Sequence, residues 1–378
     1  MGNRRKNVRA YQKELTRERE AIEIRVNDVL QDDGSLHRLV VHRDAAREPY
    51  HRWLPYRQGF SFELVRRFLD EASVLREAPI LDPFSGSGTV PLEVARAGLL
   101  GLGMDAVASL AYLGQARMVS EWSTFQPPPS VAEASFEALF HASDHPHWRA
   151  ACLLALAGTL DGEGRSKPAT TPCLTLVEQA ISMMREDGLR ERIAGACAFI
   201  HGDARRLPLG ANSVGGILTS PPYLSRYDYS RVNAPLDLLL RSRGMRKNRG
   251  SQLRASRSTA GRGGREVHPA VEEVVQRLIE QGHQTQAAMV SGYFADLAQV
   301  LAECRRVLRP AAPLWVVIAG ADIKREYVPS DAILAEIAAG LGLQVEEIRE
   351  ARRMRPQGRS LGGIQHVAPR ESLVVLRR

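Results

Sequence analysis

The sequence predicts an α/β fold in which a mostly parallel sheet carries helices on both faces. Apolar runs at residues 80–82 and 99–104 each end in a turn, and a helical pattern follows the first of them at once. Alternation of strand and helix implies right-handed crossovers between parallel strands. Residues 314–318 are apolar throughout, as expected for a strand that is covered on both faces.

Along the chain, the pattern predicts four stretches. Residues 1–48 form a polar helical extension with a basic arm, and residues 49–119 hold the first two strands. Residues 120–195, where three consecutive prolines lie near the start, predict a helical insertion. Residues 196–378 hold the later strands, a long helix over 291–309, the last strand over 372–376 and a basic loop at 236–285.

Composition narrows the class of protein. With 378 residues and 44% hydrophobic letters, the chain can bury a substantial core. No apolar run approaches the length of a membrane span and no secretory segment follows Met1, so we expect a cytoplasmic protein that does not enter a membrane. The four cysteines form no paired Cys-x-x-Cys motif, which favours a reducing compartment and no zinc.

The first turn with functional character contains Gly86 and Gly88. Glycine can take positive φ and has no Cβ, so the backbone can lie against a ligand before the helix that begins near Thr89. A phosphate-binding P-loop would need Gly-Lys-Ser/Thr, and a dinucleotide fingerprint would need glycine where Pro91 stands. Neither pattern is met, so the glycine turn by itself indicates close contact with a ligand without identifying that ligand.

Two acidic residues follow later strands. Asp105 ends the second strand, close to the interval at which an acidic residue meets a ribose diol in open α/β folds. Asp203 ends a third apolar run. Each could instead be an ordinary turn or helix-cap aspartate, which is the commoner case for a single residue. Their positions after successive strands favour the binding interpretation.

The second motif is Ser220-Pro221-Pro222-Tyr223, directly after a buried strand over 214–219. Proline lacks a backbone donor, so the carbonyls here stay free as acceptors. The Ser220 hydroxyl and the Pro221 carbonyl can accept the two N–H groups of a planar amine, while Tyr223 can stack on a base. A plain Ser-Pro-Pro turn is the alternative interpretation.

Both motifs, in this order, resemble those of S-adenosylmethionine-dependent amino-methyltransferases, which act on nucleic acid bases. Residues 82–89, Asp-Pro-Phe-Ser-Gly-Ser-Gly-Thr, match the family's first motif letter for letter, and residues 51–118 and 198–378 share its pattern. The resemblance implies a Rossmann-like fold with a seven-stranded sheet. It implies that Asp105 holds the cofactor ribose and Asp203 the adenine amine. The implied cofactor-binding residues are Phe60, Asp82, Phe84, Gly86, Gly88, Thr89, Asp105 and Asp203.

The resemblance also bears on the substrate. Family members with Ser-Pro-Pro-Tyr mostly methylate the N4 amine of cytosine, whereas Asp or Asn in place of the serine is typical of adenine N6 enzymes. Residues 241–265 carry nine Lys or Arg and no acidic residue, which favours contact with double-stranded DNA over a merely solvated loop. The predicted nucleic-acid contacts are Arg226, Arg246, Lys247, Arg249, Arg254 and Arg257.

Several alternatives stay open at this stage. An adenine N6 DNA enzyme and a tRNA or rRNA base methyltransferase share both motifs, and a non-catalytic subunit with a relic pocket is the third class. Whether a cognate restriction endonuclease or a defence-system subunit is a partner is left open too. His141, His145 and His147 could suggest a metal, but no carboxylate spacing accompanies them, so loop or surface histidines are the simpler interpretation.

Overall fold

A large twisted sheet positions every element of the site. The computed structural model describes residues 17–41, 47–54, 59–118, 125–128, 135–161, 164–168, 171–191, 193–241, 252–261, 264–265, 267–354 and 368–378. Its strands are β1 Leu30–Asp32, β2 Ile80–Asp82, β3 Leu100–Asp105, β4 Ala196–His201, β5 Gly216–Thr219, β6 Pro313–Ala319, β7 Ala321–Ile323, β8 Glu326–Val328, β9 Gln344–Arg353 and β10 Arg370–Arg377. Strands β7 and β8 form a separate antiparallel ribbon.

The main sheet has the order β1-β9-β10-β6-β5-β2-β3-β4. Within the described ranges, every neighbouring pair is parallel except the two pairs that β10 makes with β6 and β9. The chain therefore steps outward from β2 to β4, returns to β5, and steps outward the other way. The carboxyl ends of β2 and β5 lie side by side where this order reverses, which is where open α/β sheets bind ligands.

The predicted α/β class is confirmed, and the sheet has eight strands rather than the seven expected. The additional strand, β1, comes from residues 1–48, which were expected to be helical. Leu30 pairs with Ile348, so β1 lies parallel to the ten-residue strand β9. An uncovered strand of that length would offer a row of unpaired backbone groups, and β1 pairs with the middle three residues of this row.

Helices cover both faces of the sheet. Their bounds are α1 Arg17–Arg25, α2 Phe62–Glu71, α3 Thr89–Arg96, α4 Ala108–Ala116, α5 Phe136–His141, α6 Pro146–Gly158, α7 Cys173–Arg190, α8 Tyr229–Val232, α9 Ala234–Arg241, α10 Pro269–Glu280, α11 Gln284–Val307 and α12 Ser330–Gly340. Short 3-10 turns span Gly34–His37 and His51–Trp53. The long helix begins seven residues before the predicted position 291, because its first turns are also apolar on one face.

Strand β6 shows how the two faces are filled. Leu314, Val316 and Ile318 pack into one core beside helices α10 to α12. The alternating residues Trp315 and Val317 pack into a second core with α2 and α3. Side chains of a strand alternate between its faces, so an all-apolar strand is what a sheet with helices on both sides requires.

Helices α4 to α7 and α9 enclose a further core that contains no strand residue. Asp187 of α7 is fully buried and accepts hydrogen bonds from the Tyr50 backbone N–H at 2.8 Å and from Trp53 Nε1 at 2.9 Å. His147 also lies in this region and is fully buried, which corrects its interpretation as a loop or surface residue; it lies in the first turn of α6. Among the described helices, none is long and apolar enough to cross a bilayer.

Candidate cofactor and substrate cleft

A cleft with an empty volume of about 880 Å³, open to solvent, lies at the carboxyl ends of β2, β3 and β5. The structure brings eight of the twelve predicted cofactor and catalytic residues to its lining: Phe60, Asp82, Phe84, Gly86, Thr89, Asp105, Ser220 and Pro222. The other four, Gly88, Asp203, Pro221 and Tyr223, lie outside the lining.

The glycine turn joins β2 to α3. Gly86 has φ of +50° and Gly88 has φ of +84°, values that L side chains rarely adopt. A Cβ on Gly88 would lie 2.7 Å from Cε1 of Phe199, so this glycine faces the protein rather than the cleft. Gly88 therefore fixes the sharp turn into α3, while Gly86 brings backbone to the cleft.

Asp105, at the end of β3, is held by the glycine turn. The Gly86 N–H donates to Oδ2 at 2.9 Å and the Val107 N–H donates to Oδ1 at 2.8 Å. Burial raises the pKa of Asp105 to about 6, and the charge of Asp237 adds to the rise. Each carboxylate oxygen keeps a lone pair beyond its backbone bond, so Asp105 can accept two hydroxyl donors from a ligand.

Asp82 connects the two motifs. The Thr219 hydroxyl, directly before Ser220, donates to Asp82 Oδ1 at 2.6 Å, and the Phe84 N–H donates to the same atom at 3.0 Å. Asp82 is buried, and this burial raises its pKa to about 7. Since β2 and β5 are paired parallel strands, this hydrogen bond fixes the start of the second motif against the first.

The four residues of the second motif separate into two groups. Ser220 and Pro222 line the cleft, whereas Pro221 is buried outside the lining. The Tyr223 hydroxyl donates to Oε1 of Glu371 on β10 at 2.9 Å, and Arg352 of β9 contacts the other oxygen of the same carboxylate. A different tyrosine, Tyr227, lines the cleft with 37% of its surface exposed.

Asp203 follows β4 and does not reach the cleft lining, although its neighbour Ala204 does. Its carboxylate accepts from the Arg205 backbone N–H at 2.9 Å and from Arg205 Nη2 at 2.8 Å. Arg205 Nη1 in turn donates to Asp296 of α11 at 3.0 Å. The structure thus binds Asp203 into an ion-pair network.

Sequence reasoning missed one side of the cleft. Five residues of the segment 252–259, here called the wall segment, line it: Gln252, Leu253, Ala255, Ser256 and Thr259. The Ser225 N–H donates to the Ala255 carbonyl at 2.7 Å, which ties this segment to the end of the second motif. The alternating apolar pair Leu253 and Ala255, both buried, was the available signal within an arginine-rich stretch.

The predicted nucleic-acid contacts have different surroundings. Arg246, Lys247 and Arg249 lie outside the described residues. The Arg254 side chain donates to Asp296 at 2.7 and 3.0 Å, so that guanidinium is engaged within the protein. Arg257 is exposed on the wall segment, and Arg226 is partly buried against Met354.

The lining fits S-adenosylmethionine. The hydroxyl of Ser85 is buried at the cleft and has no hydrogen-bond partner in the described part of the chain, as expected where a polar ligand completes the site. Asp105 offers acceptors for a ribose diol, and Phe60 and Val107 provide apolar surface. In the described ranges, no group of three or more His, Cys, Asp or Glu side chains is arranged to hold a metal.

Comparisons with known proteins agree with this cleft. Residues 59–238, which contain both motifs, match the family model described as RMKL-like, methyltransferase domain. The Type II methyltransferase M.AvaI of Nostoc sp. (strain PCC 7120) is 24% identical, with 90% of this chain and 88% of the relative covered. The Type II methyltransferase M.BsoBI of Geobacillus stearothermophilus is 22% identical, with 95% and 91% covered.

Among solved structures, TrmN from Thermus thermophilus is similar to this chain with a TM-score of 0.34 and 15% identity, covering 84% of this chain and 49% of that one. Two observations support the family that the two motifs predicted. Residues 59–238 match a methyltransferase domain, and the cleft lies where the strand order of the sheet reverses. The chain is an S-adenosylmethionine-dependent methyltransferase, as its motifs predicted.

Proposed function

We propose that the protein methylates the N4 amine of cytosine in double-stranded DNA. The observation that carries the proposal is Ser220, the residue type found mostly in cytosine enzymes, which lines the same cleft as Asp105. Similarity to Type II methyltransferases along nearly the whole chain supports DNA as the substrate. Arg257, exposed on the wall segment, and the basic run at 241–265 support a duplex partner.

The cofactor is held by the first motif. Asp105 accepts the ribose hydroxyls, the Gly86 turn brings backbone to the ligand, and the Ser85 hydroxyl gains a partner. When bound, S-adenosylmethionine supplies an activated methyl group on its sulfonium, so the protein needs no covalent nucleophile. Positioning and exclusion of water are then the means by which these residues raise the rate.

The base amine is oriented by the second motif. The Ser220 hydroxyl accepts one N–H group of a flipped cytosine. In this proposal the carbonyl of Pro221, a residue outside the lining of the free protein, accepts the other, which directs the nitrogen lone pair toward the methyl group. A neutral hydroxyl satisfies the amine without adding a charge. Tyr227, which lines the cleft, provides the aromatic surface for the base, whereas Tyr223 lies outside the lining and donates to Glu371.

Analysis of the methylated nucleoside tests this function. Plasmid DNA from a host without its own methylation, isolated with and without this protein, is digested to nucleosides and examined by mass spectrometry. We expect N4-methylcytosine in the wild-type sample. Ser220→Ala should lower turnover by roughly a hundredfold, because one preorganised hydrogen bond at the reacting centre is lost, and should leave cofactor affinity unchanged.

The product separates the alternatives. N6-methyladenine in place of N4-methylcytosine would show that the residue type at Ser220 does not identify the base, while the class of enzyme would stand. Methylation of RNA and not of DNA would favour a tRNA or rRNA enzyme. Absence of any methylated nucleoside from an active cofactor-binding protein would contradict the proposal altogether.

A further inference from the structure

One buried carboxylate joins two parts of the cleft lining. Asp296 lies in the middle of α11 and is fully buried. Its Oδ2 accepts from the Arg254 backbone N–H and from Arg254 Nε, both at 3.0 Å. Its Oδ1 accepts from Arg254 Nη2 at 2.7 Å and from Arg205 Nη1 at 3.0 Å. This single side chain therefore receives four donors from two arginines.

Each arginine belongs to a different piece of the cleft. Arg254 lies in the wall segment between Leu253 and Ala255, both of which line the cleft. Arg205 directly follows Ala204, another lining residue, at the end of β4. Asp296 itself does not line the cleft. The carboxylate consequently fixes two lining segments to a long helix without contacting the ligand space.

The ion pairs keep Asp296 charged in spite of its burial. Burial by itself would raise the pKa of this carboxyl, but the hydrogen bonds from Arg254 and the charge of Arg205 hold the pKa below its usual value. Because Asp296 accepts several hydrogen bonds of fixed geometry, it restrains both guanidinium groups more strongly than a single exposed ion pair would. The wall segment also rests on Ser225 through a backbone hydrogen bond, so it has two independent attachments.

We propose that Asp296 is a positioning residue for the cofactor: it holds the wall segment and Ala204 in place, so that cofactor affinity depends on a side chain outside the cleft. The inference rests on the proposed binding of S-adenosylmethionine in this cleft. It also assigns Arg254, which was expected to contact DNA, to the cofactor side of the protein.

The test is the affinity for S-adenosylmethionine, measured by isothermal titration without DNA. Asp296→Asn keeps the size of the side chain and removes its charge. Without this charge two lining segments are no longer held in place before the cofactor binds, so we expect Kd to rise by about tenfold. Hydrogen exchange in peptides from the wall segment should become faster in the variant. In steady-state kinetics the KM for the cofactor should rise more than kcat falls.

Asp331→Asn is the matched control. Asp331, in the first turn of α12, is likewise fully buried, and it accepts from Arg370 Nε at 2.9 Å and from the Ser372 hydroxyl at 2.8 Å. It does not line the cleft. This variant should lose stability while its cofactor affinity and its exchange in the wall segment stay at wild-type values.

Arg254→Met is a second test that does not depend on the folding of Asp296→Asn. It releases the wall segment alone and should also weaken cofactor binding, whereas the salt dependence of DNA binding should not change. Unchanged cofactor affinity in both folded variants would overturn the inference and leave the proposed function standing. If the wild type itself bound no cofactor, the proposed site would fail first, and the inference with it.

Discussion

The raised pKa of Asp105 predicts that cofactor affinity falls as the pH is lowered. The two ribose hydroxyls are donors, and an ionised carboxylate can accept both. Burial places the pKa of Asp105 at about 6, with the charge of Asp237 raising it further and the charge of His201 lowering it. Below this pH the free protein holds a proton on Asp105 that must leave before the cofactor can bind.

The size of the effect follows from the same value. The apparent Kd is the Kd of the ionised form multiplied by one plus the ratio of protonated to ionised Asp105. For a pKa of about 6, this factor is close to one at about pH 7.5 and is about eleven at about pH 5. We therefore expect affinity to fall about tenfold over this range, with release of about one proton on binding at the acid end.

Isothermal titration at several pH values, in buffers with different ionisation enthalpies, measures both Kd and the proton count. Asp105→Asn is the control, since an amide does not titrate in this range: it should bind the cofactor more weakly and with a flatter pH profile. A wild-type Kd that does not change with pH, or that falls in acid, would refute the assignment of Asp105 to the ribose. Uptake of protons on binding would refute it equally.

Two further predictions concern packing and the second motif. Gly114→Ala should lower the free energy of unfolding, measured in urea, by about 1–3 kcal/mol, because the added Cβ would lie 2.3 Å from Cδ1 of Phe199. Adding Phe199→Leu should restore most of this loss. A Gly114→Ala variant as stable as the wild type would contradict this packing. Tyr223→Phe and Glu371→Ala should each slow DNA methylation, and their effects should not add, because either substitution removes the same hydrogen bond. Additive losses would mean that Glu371 acts elsewhere.

The parts of the site that could be predicted from sequence share one property. The Gly86 turn, Asp105 and Ser220 each follow a strand directly, and the carboxyl ends of parallel strands meet at one edge of the sheet. Order along the chain therefore implies proximity in space for these residues. The same reasoning placed Asp203 at the site, but a neighbouring arginine binds its carboxylate, and spacing alone carries no information about such a pair.

The parts that could not be predicted depend on contacts between distant segments. The wall segment is polar and contains two arginines, which is also typical of a solvated loop. Its position depends on the buried carboxylate on α11 and on the backbone hydrogen bond from Ser225. Strand β1 was missed because three residues, one of them apolar, give no periodic signal. Tyr227 follows the second motif at no spacing that marks it, and the fold identifies it as a lining residue.

The two carboxylates of the cleft indicate why the site is built at some expense of stability. Burial raises the pKa of Asp82 to about 7 and that of Asp105 to about 6. The charge of Asp105 raises the pKa of Asp82 further, and the charge of Asp237 does the same for Asp105. A raised folded-state pKa means stability that is fully present below the unfolded value and is lost as the pH rises through 6 and 7. At neutral pH the free protein therefore holds buried negative charge, which lowers its stability relative to a protein with apolar side chains at these two positions. The two carboxylates are useful where a ligand with hydroxyl donors and a positive charge binds. Such a ligand stabilises the buried negative charge and offsets the stability that the free protein loses.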